Sequence, residues 1–148
     1  MLGGALVLSI RSPHAESILA GKKTVELRRV KPRLSDGDWV LVYVPTPRKE
    51  LIGAFEVEGV LEGAPALLWE AVNAGAAVPR ETFDEYYAGA VVAYGILIRR
   101  AVRFAQTLPL SSLRTRLPGF RAPQSYRYLD RSEVREIGAL DLLPRHGV

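Results

Sequence analysis

The chain has no cysteine and a single methionine in 148 residues. Without thiols it can form neither disulfides nor thiolate metal cages. Its two histidines, His14 and His146, stand at opposite ends of the sequence. A zinc site built on imidazole is therefore not expected, and no metal or cofactor is assigned. A glycine-rich strand-to-helix turn of the kind that cradles dinucleotides is missing, and helices do not follow each strand as in a doubly wound sheet. Long apolar runs are also lacking. The longest nearly apolar stretch, 88–98, falls well short of the about 20 residues that span a bilayer. The first residues lack the basic segment and cleavage site of a secretory signal. The expectation is a cytoplasmic protein with no membrane partner. Asn and Gln are sparse and Arg far outnumbers Lys, a composition compatible with a thermophilic source.

What is present suits one globular domain, 1–148. Hydrophobic residues make up 48% and charged residues 24%, and this length suffices for a real core. Twenty basic residues stand against 16 acidic ones, and the excess is uneven. Residues 22–33 carry six basic side chains against Glu26 alone, residues 96–129 carry seven arginines and no acid, and 50–85 is mostly acidic. If the two basic stretches meet in space, one face becomes an anion-binding surface. The alternative is a set of solvated arginines.

Local patterns give an element order. Residues 5–10 are apolar and β-prone. Ser12 caps a helix with Pro13 at its first position, and Gly21 stops it. Residues 24–29 alternate as a strand. Residues 39–44 are apolar on both faces, which predicts a central buried strand. A strand over 51–61 follows, with Gly53 and Gly59 as bulge sites that help a sheet curl. Helices are expected over 66–73 and 80–87, the second with Phe83, Tyr86 and Tyr87 on its apolar side. A long strand over 90–104 leaves the core at Arg99. A short helix over 111–117, a strand over 124–129 and a helix over 132–140 complete the chain. This predicts an α+β fold: a small, curled, mixed β-barrel with helices packed at its ends and a helical insertion.

The densest chemistry lies in Gly21-Lys22-Lys23-Thr24-Val25-Glu26-Leu27-Arg28. Alternation puts Val25 and Leu27 on one strand face and Thr24, Glu26 and Arg28 on the other. A carboxylate held by Lys23 or Arg28 can still meet a polar ligand, and the Arg fork suits phosphate. The plain reading of the same face is a solvated strand with weak ion pairs. Arg29, with Lys22, Lys31 and Arg33, adds phosphate contacts that position nucleic acid without reading its sequence. His14, in the first turn of a helix, can touch a phosphate there; the plainer reading of a lone histidine in that place is a surface or packing residue. Near the C-terminus, Gln124-Ser125-Tyr126-Arg127-Tyr128 interleaves aromatics with a cation. There the tyrosines stack on unpaired bases, or else plug one end of the barrel. Arg114, Arg116 and Arg121 extend the possible path of a strand.

The pattern G-x-K-x-x-E-x-R at Gly21, Lys23, Glu26 and Arg28 resembles the signature of the ASCH domain family, a branch of the PUA-like β-barrels. The resemblance includes the upstream Leu8-Ser9-Ile10-Arg11-Ser12-Pro13-His14-Ala15-Glu16-Ser17-Ile18-Leu19 and the Gly37-Asp38 turn and strand. Residues 123–129 resemble a segment of the longer, archaeal-type members. The resemblance implies a cleft for RNA or a nucleotide around Gly21, Lys23, Glu26, Arg28 and Arg29, with Gln124, Ser125, Tyr126 and Arg127 beside it, and a role in RNA metabolism or regulation. Some small members resemble amidohydrolases that deacetylate 4-acetylcytidine with a lysine, a threonine and a glutamate. For an enzyme of that kind the candidates here are Lys23, Thr24 and Glu26. The position of the family's threonine is taken by Glu26, and Thr24 stands two residues away, expected on the same face.

Overall fold

Strand alternation and helix punctuation lay out residues 4–144, which the computed structural model describes. The elements are β1 (Ala5–Ser9), α1 (Ser12–Leu19), β2 (Val25–Arg28), β3 (Trp39–Val44), β4 (Glu50–Gly63), α2 (Pro65–Ala76), α3 (Arg80–Tyr86), β5 (Ala93–Pro109), α4 (Leu110–Arg116), β6 (Tyr126–Leu129), α5 (Arg131–Glu136) and a closing 3₁₀ turn, Leu140–Leu142. His146 lies outside the described residues. No helix among the described residues is long and apolar enough to cross a membrane.

Among the described residues, six strands form one sheet in the order β2-β5-β4-β3-β1-β6. β1 and β3 run parallel, and the other neighbours are antiparallel. The sheet is the curled, mixed α+β architecture expected from the sequence. Its outer strands return toward each other, so that Arg28 of β2 hydrogen-bonds Ser125, the residue before β6.

Period-2 alternation sorts the core. Val40 and Val42 of β3 join Leu6 and Leu8 of β1 and Ala15 and Ile18 of α1 on one face. Leu41 and Tyr43 face the other side with Phe104, Leu113, Phe120 and Val134. β3 is buried on both faces, as its unbroken apolar run predicts. The helical insertion makes a third cluster, in which Leu68, Val72, Phe83 and Tyr87 pack on Val25 and Ala93. Register shifts between Leu51 and Gly53 and between Val57 and Gly59 fall at the two glycines read as bulge sites.

Several boundaries differ from the sequence reading. α1 begins at Ser12 itself, with Arg11 at the cap and no side-chain cap bond. Proline is tolerated one residue later than expected because first-turn N–H groups lack helical partners anyway. β5 starts at Ala93 and runs past Phe104 to Pro109, since its ladder to β4 continues after the strand has left the core. α2 continues beyond Asn73 to Ala76. β6 starts at Tyr126, leaving Gln124 and Ser125 outside the ladder, and α5 spans Arg131–Glu136, closed by a capping box between Asp130 and Glu133.

The stop of α1 is made by glycine. Lys22 N–H bonds the Ser17 carbonyl and Gly21 N–H bonds that of Ile18, a Schellman closure that needs the left-handed Gly21, at φ 78°. Gly75 answers to a different constraint. A Cβ there would collide with the Thr24 hydroxyl, so the approach of α2 to the residue before β2 needs glycine at this position. Gly75→Ala is expected to cost about 1–3 kcal/mol through overpacking, and adding Thr24→Ala should recover most of it. Urea unfolding of the single and double variants measures both.

Candidate functional site

Once Gly21 has turned the chain, β2 presents its residues to two environments. Val25 enters the insertion core. Glu26 and Arg28 line a cleft of about 400 Å³, walled also by Arg11 and His14 from the start of α1 and by Thr82 and Tyr86 of α3. That volume lies in the range of small-molecule clefts, about 300–1,000 Å³.

Glu26 is 6% exposed, and a carboxylate so placed needs a partner. Arg28 Nη1 supplies one at 3.1 Å, while its Nη2 donates to Ser125 Oγ at 2.7 Å and to the Ser125 carbonyl at 3.3 Å. One guanidinium thus joins an acid on β2 to the segment leading into β6.

Lys23 also lines the cleft and is 2% exposed. Its Nζ donates to the Ala76 carbonyl at 2.5 Å. Ala76 ends α2, and Ala77 beyond it is left-handed at φ 55°. A cation at a helix C-terminus meets the negative end of the dipole and a carbonyl with no helical partner. Burial pushes the Lys23 pKa below its usual value, with Glu26 pulling it back. Burial also lowers the pKa of His14, helped by Lys23 and Arg11 and opposed by Glu26, which favours the neutral imidazole.

A second cavity of about 210 Å³ adjoins the first, lined by Arg28, Arg29, Val30, Pro32, Ser125 and Tyr126 among others. Arg29 Nη1 donates to the Tyr86 carbonyl at 2.6 Å, holding the end of α3 against β2. Tyr126 is 38% exposed. Tyr128 is half-buried against the α1 side of the core, and Arg33 covers it with its guanidinium 4.6 Å from the ring centre. The two tyrosines therefore differ, one open to a ligand and one largely packed.

The structure brings together Lys23, Glu26, Arg28, Arg29, Ser125 and Tyr126, with Gly21 as the turn that aims them. Three other candidates stand apart. Thr24 does not share the cleft with Glu26. It precedes the ladder of β2, and its hydroxyl lies against Gly75. Arg127 is on the opposite sheet face from Tyr126 and Tyr128, as strand alternation requires. There it stacks 4.9 Å from the centre of Phe120 and pairs with Glu133. Gln124 is exposed and lines neither cavity. The basic stretches meet at this seam, where Arg28 and Arg33 reach Ser125 and Tyr128. Most of the second stretch is committed elsewhere: Arg99 to Asp36, Arg100 to Glu56 and Arg103 to Glu16. Arg114 and Arg116 ride on α4, which packs on the other core through Leu110 and Leu113.

Sequence reasoning missed Tyr86, which it grouped with the buried side of α3. Phe83 and Tyr87 are buried there, but Tyr86 is 40% exposed and faces the cleft. Tyr86 stands at i+3 from Phe83 as Tyr87 stands at i+4, so helix spacing gave no signal that would have separated them. Among the described residues no three His, Asp or Glu side chains gather as a metal site.

The family profile described as "ASCH domain" matches residues 8–100. A protein of Zymomonas mobilis named "ASCH domain-containing ribonuclease" is 28% identical over 136 residues, which is 90% of each chain. The crystal structure of ASCH from Zymomonas mobilis superposes with a TM-score of 0.84 at 27% identity, over 90% of this chain and 92% of that one. The N-terminal domain of Staphylothermus marinus McrB is similar in fold alone, with a TM-score of 0.58 at 10% identity over 90% of this chain and 91% of that one.

Two outcomes test the electrostatics of the site. Lys23→Met leaves the Ala76 carbonyl without its donor and should cost about 1–3 kcal/mol in urea unfolding. For His14 the folded pKa is depressed, so the unfolded chain binds the proton more readily. Stability then falls as pH drops through 6.5 and on through the folded pKa. Denaturation between pH 7.5 and 5.5 should show this slope, and His14→Gln should flatten it. The depressed Glu16 carboxyl, held down by Arg103 and Arg48, acts only in the window below 4.5.

Proposed function

Because the chain belongs to the ASCH domain family, we propose that it acts in RNA metabolism by holding a strand of RNA in the seam cleft and cutting it. The observation that carries this reading is the lining of that cleft. Arg11, Lys23 and Arg28 converge on one cavity, and the carboxylate among them, Glu26, is already neutralised by Arg28. Cations of this kind grip phosphate, and the Arg fork retains donors beyond those given to Glu26 and Ser125. The name of the Zymomonas mobilis relative, which spans most of both chains, supports extending binding to cleavage.

The cleavage suited to these groups is a transesterification. The 2′-oxygen of the ribose bonds to phosphorus as the bond from phosphorus to O5′ breaks, leaving a 2′,3′-cyclic phosphate. His14, which lines the cleft and whose burial favours the neutral imidazole, takes the 2′-hydroxyl proton, and water protonates the departing 5′-oxygen. Arg28 and Lys23 face the negative charge that builds on the phosphoryl oxygens. The amidohydrolase alternative, acting on an acylated nucleoside such as 4-acetylcytidine, draws less support. Its hydroxyl candidate, Thr24, lies against Gly75 and outside the cleft.

Affinity for an unstructured RNA oligonucleotide should fall steeply with salt. Arg28→Ala is expected to weaken it about ten-fold and to lower the salt slope by about 0.7. Arg99→Ala, whose guanidinium is bound to Asp36, should change neither. Cleavage of a fluorogenic RNA should vanish in His14→Ala, and the acidic limb of its pH profile should lie below 6.5. Affinity indifferent to Arg28 removes the binding reading. Cleavage that persists without His14 removes the catalytic one, and turnover of 4-acetylcytidine would replace it with the amidohydrolase.

A further inference from the structure

Two cavities meet at the seam, and two residues line both of them: Arg28 and Tyr86. Their remaining walls differ in chemistry. The larger cavity sets Arg11, His14 and Lys23 among apolar walls such as Ile10, Val78 and Phe83. The smaller one is mostly apolar, with Leu8, Val30, Pro32 and Tyr126 around the two arginines. Val30 is 62% exposed at its rim. A slot of about 210 Å³ with these walls suits a single flat ring.

Tyr86 is half open to solvent yet fixed in place. Its hydroxyl donates to the Leu27 carbonyl at 3.3 Å, Arg29 holds its own carbonyl, and its ring packs edge-on against Tyr87 with centres 4.8 Å apart. An exposed aromatic pinned from three sides is a ready stacking surface, since little rotamer freedom remains to be lost on binding. Arg28 beside it has a planar fork anchored by Glu26 and Ser125.

We propose that the seam takes two consecutive unpaired nucleotides, one base on each side of the Arg28–Tyr86 partition, with the phosphate that joins them on the Arg28 guanidinium. The substrate class is thus single-stranded RNA or an unpaired loop. In a duplex the bases are stacked and paired inward, and cannot enter separate cavities. Tyr86 and Tyr126 supply the ring contacts, which tolerate any base because each has a π-face. Tyr86 thereby sets specificity for unpaired strands, and it comes from the helical insertion rather than from the signature motif. This inference rests on the RNA reading above.

The test is fluorescence anisotropy at low salt with 2′-O-methyl RNA, which binds but offers no 2′-hydroxyl for cleavage. A labelled unstructured 10-mer and the same strand annealed to its complement are compared. The single strand should bind at least about ten-fold tighter than the duplex. Tyr86→Ala and Tyr86→Leu, the second keeping bulk without a ring, should each weaken the single strand about ten-fold and leave the duplex unchanged. Tyr86→Phe should stay near wild type. Equal affinity for strand and duplex, or full strand affinity in Tyr86→Leu, overturns the partition while leaving an RNA-binding cleft in place. No affinity for either RNA overturns the RNA reading, and the partition with it.

Discussion

Arg28 closes a seam that the backbone leaves open. β2 and β6 are the outer strands of the sheet order, and the curl of the sheet brings them near one another without a ladder between them. A side chain takes the place of that ladder, with one guanidinium nitrogen on Glu26 and the other on Ser125. Removing it would strand a buried carboxylate, which is far costlier than losing a surface ion pair. The most versatile anion-binding group of the cleft is therefore also a structural clasp. Its geometry is set before any ligand arrives, which favours recognition by preorganisation.

The rest of the charge distribution follows from what this clasp does not need. Glu16 on α1 receives Arg48 and Arg103 and so ties the helix to the turn before β4 and to β5. Glu56 receives Arg100, whose guanidinium also covers Trp39. These links use arginines that composition alone would count toward a basic face. Cationic character is left at the seam, where Arg11 has no carboxylate partner among the described residues and Arg28 is shared. At the cleft these cations meet in a concave site, where charge of one sign steers an anion more effectively than on an open face.

Much of this was legible in the sequence because local rules and the global fold agree. The unbroken apolar run of β3 announced a strand buried on both faces, the glycines of β4 announced its bulges, and Gly21 announced the turn that delivers Lys23, Glu26 and Arg28. Where reading failed, either a tertiary contact overrode the local pattern or sequence adjacency was taken for adjacency in space. Thr24 follows the alternation of its neighbours on paper, yet it precedes the ladder and answers to α2. Arg127 lies next to two tyrosines in sequence, and that adjacency puts it on the opposite face. Tyr86 was hidden by its company, because at i+3 from Phe83 it reads as part of the same core stripe. The joining of residues 28 and 125 across the seam depends on sheet curvature, which no short window of sequence carries.

The bond from Lys23 to Ala76 has a consequence for how such chains diverge. The acceptor is a main-chain carbonyl, so the tie between motif and insertion does not depend on the side chain at position 76. What limits substitution at position 76 is its burial in the insertion core rather than the lysine. The two partners would leave no trace as a pair of positions that vary together, although one holds the other in place. The aromatic that α3 contributes to the cleft can thus be exchanged in evolution while the anchor beneath it stays the same.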